Sequence, residues 1–402
     1  MVATERRTTP SADQLRYVNQ AIVARITTID RHFQRRVGAY PYTLFHEPGQ
    51  PIYGTVLMFH GFSARPHQMW RLADYLFQNG FNVYQANLAG QALIGPSENW
   101  PQVTLKDAYA QPLRQKVAAV PVVAKFVSNL KLSSSATQVK KPGALQMMSL
   151  MARLVRIEPR ILDIKRASET PGDPDFDRYY NSDHERYLTD ALGYLGDLEA
   201  MPGPIFTVGL SVGGAVALSL AAAQPQRIRR VVTYAPLLET HGSDRRQYVE
   251  LTGPLSLREM GWDPELQFPV SCLTATDRFG SSHVNSAESI QALRSVPTMM
   301  VLTENEDAAD VPTNEQFFRA IGGTGQGHHF HKYPAENLVP HPMVDPTEIS
   351  QGMSNIFWQT MYQETYHFLT TGSANSKQLS SLSPTDDLPE VPEIKLQSNP
   401  LS

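Results

Sequence analysis

The chain has 402 residues, of which 41% are hydrophobic and 18% charged, with a formal net charge of -4. That composition supports a sizeable folded core and excludes a chain too polar to collapse. The slightly acidic balance gives no global cationic field, so nucleic acid is excluded as an expected partner.

The first residues, Met-Val-Ala-Thr-Glu-Arg-Arg, are polar and lack the apolar centre of a secretory signal. Residues 11–36 read as a helix, with Leu15, Val18, Ile22, Ile26 and Ile29 near 3.6-residue spacing. Ser11 followed by Gln14 forms a candidate capping box. This helix is expected to pack on the outside of the main domain, with a docking or lid role as the alternative. Beyond Gly38, residues 42–45 and 54–59 read as strands separated by a Pro48-Gly49-Gln50-Pro51 turn. A helix over 67–78, closed by Gly80, and a strand over 81–88 follow. The alternation resumes with a helix over 183–200, a strand over 205–210, a helix over 212–223 and a strand over 228–234. Strands over 298–303 and 329–333 and a helix over 349–370 complete it. Short buried strands alternating with helices predict an α/β fold with a mostly parallel sheet covered on both faces.

Two stretches interrupt that rhythm. The first is an insertion over about 101–180, because a simple crossover needs only a dozen or so residues. The second, 237–296, resembles a small cap. The expected organisation is an N-terminal helix over 1–40, an α/β domain over 41–372 containing both interruptions, and a tail over 373–402. The tail has no apolar periodicity and is expected to be disordered. Cys272 is the only cysteine, which excludes an intrachain disulfide and points to a reducing compartment. It lies in apolar Pro269-Val270-Ser271-Cys272-Leu273 and reads as a packed thiol. No stretch reaches the ~18 consecutive apolar residues of a membrane span. A cytoplasmic location is therefore expected.

Gly209-Leu210-Ser211-Val212-Gly213 matches G-x-S-x-G between a predicted strand and a predicted helix. A sharp turn there would force Ser211 into strained backbone angles, so its neighbours must lack bulk. The following helix is rich in small residues and can lie close to the sheet, its N-terminal amides favouring developing negative charge. Earlier, Leu57-Met58-Phe59-His60-Gly61-Phe62 ends a strand with a His-Gly pair. Acyl transfer needs two donors aimed at an oxyanion, and fixed backbone amides serve. Those of Phe62 and Val212 are assigned as the oxyanion hole, and His60 is read as structural.

With these motifs the chain resembles an α/β-hydrolase-fold serine hydrolase of the monoacylglycerol-lipase, lysophospholipase and serine-aminopeptidase group. The likeness spans about 42–370 apart from the insertion. It implies the order nucleophile, acid, histidine, with the acid just beyond a late strand. Glu304, Glu306, Asp307 and Asp310 follow the strand over 298–303; the resemblance puts Glu306 in the acid position, with Asp307 the alternative. It also implies that His341, in Val339-Pro340-His341-Pro342-Met343, is the base. His328, His329 and His331 could suggest zinc, but their directions alternate along a strand and no ligand-spaced partners accompany them, so no metal or cofactor is expected. The sequence departs from relatives at Gly90-Gln91, where many have Gly-His, and at Leu210, where many have histidine.

Residues 103–166 carry about twelve Lys and Arg against about three acids. Segments 113–130 and 145–154 could be amphipathic helices there. A solvated helical cap is the favoured reading; the sharper one is a lid that touches anionic lipid headgroups, giving peripheral membrane contact. The expected function is hydrolysis of small-molecule or lipid carboxylic esters through an acyl-enzyme. The alternatives are an acyltransferase or thioesterase with the same triad, or a non-catalytic binding module.

Overall fold

The structure is a computed structural model that describes residues 4–121, 149, 152, 153, 155, 156, 158–170, 172–242, 249, 258–260 and 266–382. They divide into two compact units. One takes the described residues of Met1–Trp100, Glu185–His241 and Phe279–Ser402, the other those of Pro101–His184 and Gly242–Arg278. The stretch 237–296 is thus split between the units.

The first unit is built on seven strands: β1 (Tyr42–Leu44), β2 (Thr55–Phe59), β3 (Asn82–Ala86), β4 (Ile205–Leu210), β5 (Ile228–Tyr234), β6 (Thr298–Thr303) and β7 (His329–Tyr333). Their spatial order is β1-β3-β2-β4-β5-β6-β7. Only β1 runs antiparallel to its neighbour; every other pairing in the sheet is parallel. Phe59 lies opposite Gly209, Gly209 opposite Thr233, Thr233 opposite Met300 and Met300 opposite Phe330. The carboxyl ends of the six parallel strands therefore open onto one edge.

The helices of this unit include α1 (Ala12–Asp30), α2 (Trp70–Gln78), α3 (Arg186–Asp197), α4 (Val212–Ala223), α5 (Ala287–Leu293), α6 (Val311–Ala320), α7 (Trp358–Thr371) and α8 (Ser376–Leu379). Strand residues alternate between two cores, as the two-residue period requires. Leu57, Phe59, Tyr84 and Ala86 pack with α1, α3 and α4 on one face. Val56, Met58 and Val83 pack with Leu72 and Leu76 of α2 and Met361 and Phe368 of α7 on the other.

The capping box of α1 forms, with Ser11 Oγ accepting from Gln14 and Gln14 Oε1 accepting from Ser11. Its buried stripe is Leu15, Val18 and Ile22. The helix ends at Asp30, not at 36, because Arg36 turns inward and is only 3% exposed. Similarly, α7 begins at Trp358 and not near 349. Gln351 and Gly352 take left-handed angles (φ 52° and 76°) that no helix continues. Asn355 Oδ1 then accepts the Phe357 amide at 2.9 Å. Residues 373–382, expected to lack structure, include α8, which Asn375 caps and Leu379 anchors by burial in the core. The tail beyond 382 lies outside the described residues.

In the second unit Val103–Leu105 pairs antiparallel with Tyr180–Ser182, and Arg258–Met260 with Gln267–Pro269. Helices Asp107–Ala118 and Ile161–Glu169 close over a small core that includes Val103, Leu113, Ile164, Phe176, Tyr179 and Ala275. Cys272 is buried, and burial, with the nearby Asp183 charge, pushes its thiol far up, so it is not a ready thiolate. Most of the candidate amphipathic segments 113–130 and 145–154 lie outside the described residues. No helix among the described residues is long and apolar enough to cross a membrane.

A polar clamp adds to the apolar seam between α1 and α3. Arg25 Nε and Nη2 donate to Asp197 at 2.6 and 3.0 Å, and Tyr84 Oη donates to the same carboxylate at 3.0 Å. The guanidinium lies 4.4 Å from the Tyr194 ring centroid. Replacing Arg25→Met should leave Asp197 short of its charged partner and cost about 2 kcal/mol. The measurement is the denaturant midpoint; a midpoint equal to wild type would show that the clamp contributes nothing.

Candidate active site

Parallel sheets place ligands beyond the carboxyl ends of their strands, and each residue singled out in the sequence lies there. Phe62 follows β2, Ser211 follows β4, Glu306 and Asp307 follow β6, and His341 follows β7.

Ser211 sits at the N-cap of α4 with φ 57° and ψ -121°. A side-chain-bearing residue at such angles costs about 1–3 kcal/mol and persists only where its surroundings enforce it. Here they do. A Cβ on Gly209 would lie 2.1 Å from the Gly213 carbonyl oxygen, and one on Gly213 would lie 2.4 Å from those of Phe59 and His60. Backbone meets backbone on both sides of the serine. The Ser211 amide donates to Tyr234 O at 2.9 Å, and its carbonyl accepts from Leu237 and Ala215. Ser211 is 4% exposed. Val212 is the first residue of α4, where helix geometry leaves the amides without intrahelical acceptors and the dipole positive.

Glu306 and His341 are brought together. Glu306 Oε1 lies 2.5 Å from His341 Nδ1, with 1% and 13% of their side chains exposed. The same oxygen accepts the amides of Ala308 and Ala309, each at 3.0 Å. Burial alone would raise the Glu306 carboxyl; the His341 charge and hydrogen bond, with those amides, reverse the effect and lower it. Burial likewise pulls the imidazole down. The Glu306 charge and hydrogen bond, then the charges of Asp307 and Glu348, outweigh it and leave His341 raised above its ordinary value. Asp307 instead faces outward, and its Oδ2 accepts from Gln351 Nε2 at 2.6 Å.

Backbone steps connect these loops. Asp310 donates to Glu239 O, His241 donates to Ala308 O, and Asn305 bridges to Pro340. Thr303 Oγ1 donates to Val339 O at 2.6 Å. The segment after β5 thus joins the Ser211 turn to the Glu306 loop, and the Glu306 loop joins the His341 loop.

His60 is fully buried. Its Nε2 accepts the Leu88 amide at 3.2 Å, so Nδ1 carries the hydrogen donated to Gly61 O at 2.8 Å. Burial lowers it to about 4, so this ring is neutral and fixes the loop. Of the late histidines, His328 Nδ1 accepts the Thr298 amide and Nε2 donates to Ile321 O, while His331 Nε2 meets Ser380 Oγ at 3.3 Å. No group of three or more His, Cys, Asp or Glu that could hold a metal is present among the described residues.

Several residues that shape the loop after β2 escaped the sequence. Buried Arg36 donates to Ser63 O and Ala64 O at 2.8 and 3.0 Å. Gln91, standing where relatives often have histidine, accepts the Ser63 amide at 3.0 Å. Ser63 itself has φ 60°. Gln68 Oε1 accepts the Gly61 amide at 2.7 Å. The substitution at Gln91 was visible in the sequence. Arg36 carried no signal, since an arginine pair at a helix end reads as solvated.

No protein-family model and no curated protein sequence matches the chain significantly. Solved structures similar to it include one reported with the metagenome-derived lipolytic enzymes LipS and LipT. It has 14% identity, covers 84% of this chain and 99% of its own, and gives a TM-score of 0.49. Monoacylglycerol lipase from Paleococcus ferrophilus has 13% identity, with coverage of 83% and 99% and a TM-score of 0.45. A soluble variant of monoglyceride lipase from Saccharomyces cerevisiae has 15% identity, with coverage of 81% and 88% and a TM-score of 0.43. At such identities the fold must be argued from the chain itself. Its strand order, the antiparallel edge strand and the strained turn between β4 and α4 give it the α/β-hydrolase fold.

Proposed function

We propose that this chain is a serine hydrolase that cleaves carboxylic esters, with Ser211 as nucleophile, His341 as base and Glu306 as the acid that orients it. The observation that carries the reading is the buried Glu306–His341 contact of 2.5 Å, at the strand edge from which Ser211 emerges. A carboxylate on Nδ1 fixes the tautomer that leaves Nε2 free to accept a proton, and stabilises the imidazolium that results. His341 would take the Ser211 proton as the hydroxyl attacks the ester carbonyl, then give it to the departing alcohol. Water, activated by the same ring, would release the acid. The amides of Phe62 and Val212 would receive the oxyanion. The exposure of Asp307 and its bond to Gln351 favour Glu306 over Asp307 as the acid.

The basic stretch 103–166 is better read as a solvated cap than as a membrane-touching lid. Several of its described cations have acidic partners: Lys116 and Arg160 pair with Glu158, Lys165 with Glu169, and Arg166 with Asp163, Asp173 and Asp175. Glu169, Asp173 and Asp175 lie just beyond the stretch, so part of its charge excess is compensated in space.

A fluorophosphonate probe should label the wild-type protein and not Ser211→Ala, and the variant's kcat on an aryl ester should fall by more than about 10⁴-fold. Equal labelling of both proteins would remove Ser211 from the mechanism. Transfer of the acyl group to an added alcohol or thiol faster than to water would redirect the reading to an acyltransferase.

A second outcome concerns pH. The neutral imidazole is the competent base, so kcat/KM should rise with pH through the His341 value. That value is raised, so the acid limb should have its midpoint above the ordinary imidazole value of about 6.5. Glu306→Gln should lower kcat by about 10³–10⁴-fold through loss of the tautomer. Asp307→Asn should lose less than about tenfold, as an exposed and screened charge does. The reverse ranking would make Asp307 the acid.

A further inference from the structure

Two side chains spaced i,i+3 after the β2 loop reach across to the loop that follows His341. Gln68 Nε2 donates to both oxygens of Glu348, at 3.1 and 3.0 Å, while Gln68 Oε1 accepts the Gly61 amide at 2.7 Å. Arg71 Nη1 donates to both oxygens of Asp345, at 2.8 and 2.6 Å, and this pair is 8% and 6% exposed. Asp345 in turn accepts the Thr347 amide and hydroxyl and, through its carbonyl, the Glu348 amide. The orientation of the Gln68 amide is settled by chemistry, since a backbone N–H can only donate and a carboxylate can only accept.

The consequence falls on the peptide between Gly61 and Phe62. Gly61 N–H is held by Gln68, and Gly61 C=O accepts from His60 Nδ1 at 2.8 Å and from the Ala64 amide at 3.2 Å. In a trans peptide the carbonyl and the following N–H point in opposite directions. With both polar groups of Gly61 held, the direction of the Phe62 N–H is set.

We propose that Gln68 and Glu348 are positioning residues for ester hydrolysis, holding the Gly61–Phe62 peptide in register with the His341 loop. This rests on the hydrolase reading above. Neither residue touches the reacting atoms. The charges that bear on the His341 ring are Glu306 and Asp307 from the loop after β6 and Glu348 from its own loop. Glu306 holds the ring through Nδ1, and Asp307 is exposed. Glu348 is the half-buried one of the three, and Gln68 couples it to the oxyanion loop.

The test uses the full-length protein, an aryl ester and a fluorophosphonate probe, with thermal midpoints to check folding. Glu348→Gln keeps an acceptor for Gln68 and removes the charge. It should leave the thermal midpoint in place and move the acid limb of kcat/KM down by about half a pH unit, the size of one screened charge several ångströms away. Gln68→Leu should lower kcat and the labelling rate about tenfold with KM little changed, less than the 10²–10³-fold lost with an oxyanion donor itself. Gln68→Glu alone sets two carboxylates against each other and should be slower still. Combining it with Glu348→Gln reverses donor and acceptor across the pair and should bring kcat back to within about threefold of wild type. A merely structural contact would show neither the shifted limb nor the rescue. If the wild type hydrolyses esters and labels at Ser211 while Glu348→Gln keeps the wild-type pH profile and the reversed pair rescues nothing, the positioning role is overturned alone. A wild type that does neither overturns the hydrolase reading and this inference with it.

Discussion

Helix α4 lies so close to the sheet that its first turn touches the end of β2 through backbone atoms. A Cβ on Gly213 would lie 2.4 Å from both the Phe59 and His60 carbonyl oxygens, and one on Gly209 would strike Gly213 itself. The strand that leads to Phe62, the turn that carries Ser211 and the helix whose amides face it are therefore one rigid contact. No side chain mediates it, so nothing in it relaxes by changing rotamer. This is what allows Ser211 to keep φ 57°. It is also why the distance between the serine and the end of β2 is a property of the fold and not of the loops.

The two histidines next to this contact show environment deciding the chemistry of one residue type. His60 is buried among backbone groups, has the Arg36 charge nearby and carries no carboxylate, so burial drives it to about 4. Such a ring is a fixed donor and acceptor that ties the β2 loop to Leu88. His341 meets the same burial, yet a carboxylate at 2.5 Å with two further acidic groups nearby reverses the sign. Only in the second ring do the surroundings favour the proton-bound form. Chain order separated the two in the sequence; electrostatics separates them in the structure.

What the sequence made legible was whatever has a period or a fixed spacing. The strand–helix rhythm, the capping box at Ser11 and Gln14, and the Gly209–Gly213 pattern each express a local rule. Helix ends were less legible. The break before α7 depends on left-handed angles at Gln351 and Gly352, and the stop of α1 depends on Arg36 finding carbonyl acceptors 27 and 28 positions away. The contacts hidden altogether are side-chain links between distant segments. Gln68 and Glu348 are 280 positions apart, and Arg71 and Asp345 are 274 apart. Each of these residues alone reads as a surface polar group. Part of the charge of 103–166 is answered in the same way, since Asp173 and Asp175 lie outside the stretch and pair with its Arg166.

Those distant links answer a problem that the sheet leaves open. Parallel strands fix where each loop begins, but loops carry few buried contacts and are drawn from the less stable part of a fold. An acyl-transfer site asks for placement within about 0.5 Å, which a strand end several residues away does not guarantee. Ser211 meets the demand through helix and sheet alone. The β2 loop and the His341 loop have no such support from regular structure and are held from outside: Arg36 and Gln91 grip residues 63 and 64, while Gln68 and Arg71 span to Glu348 and Asp345. Two of these four grips are shared between the loops. On the proposed reading, a displacement of one loop is transmitted to the other through these shared grips.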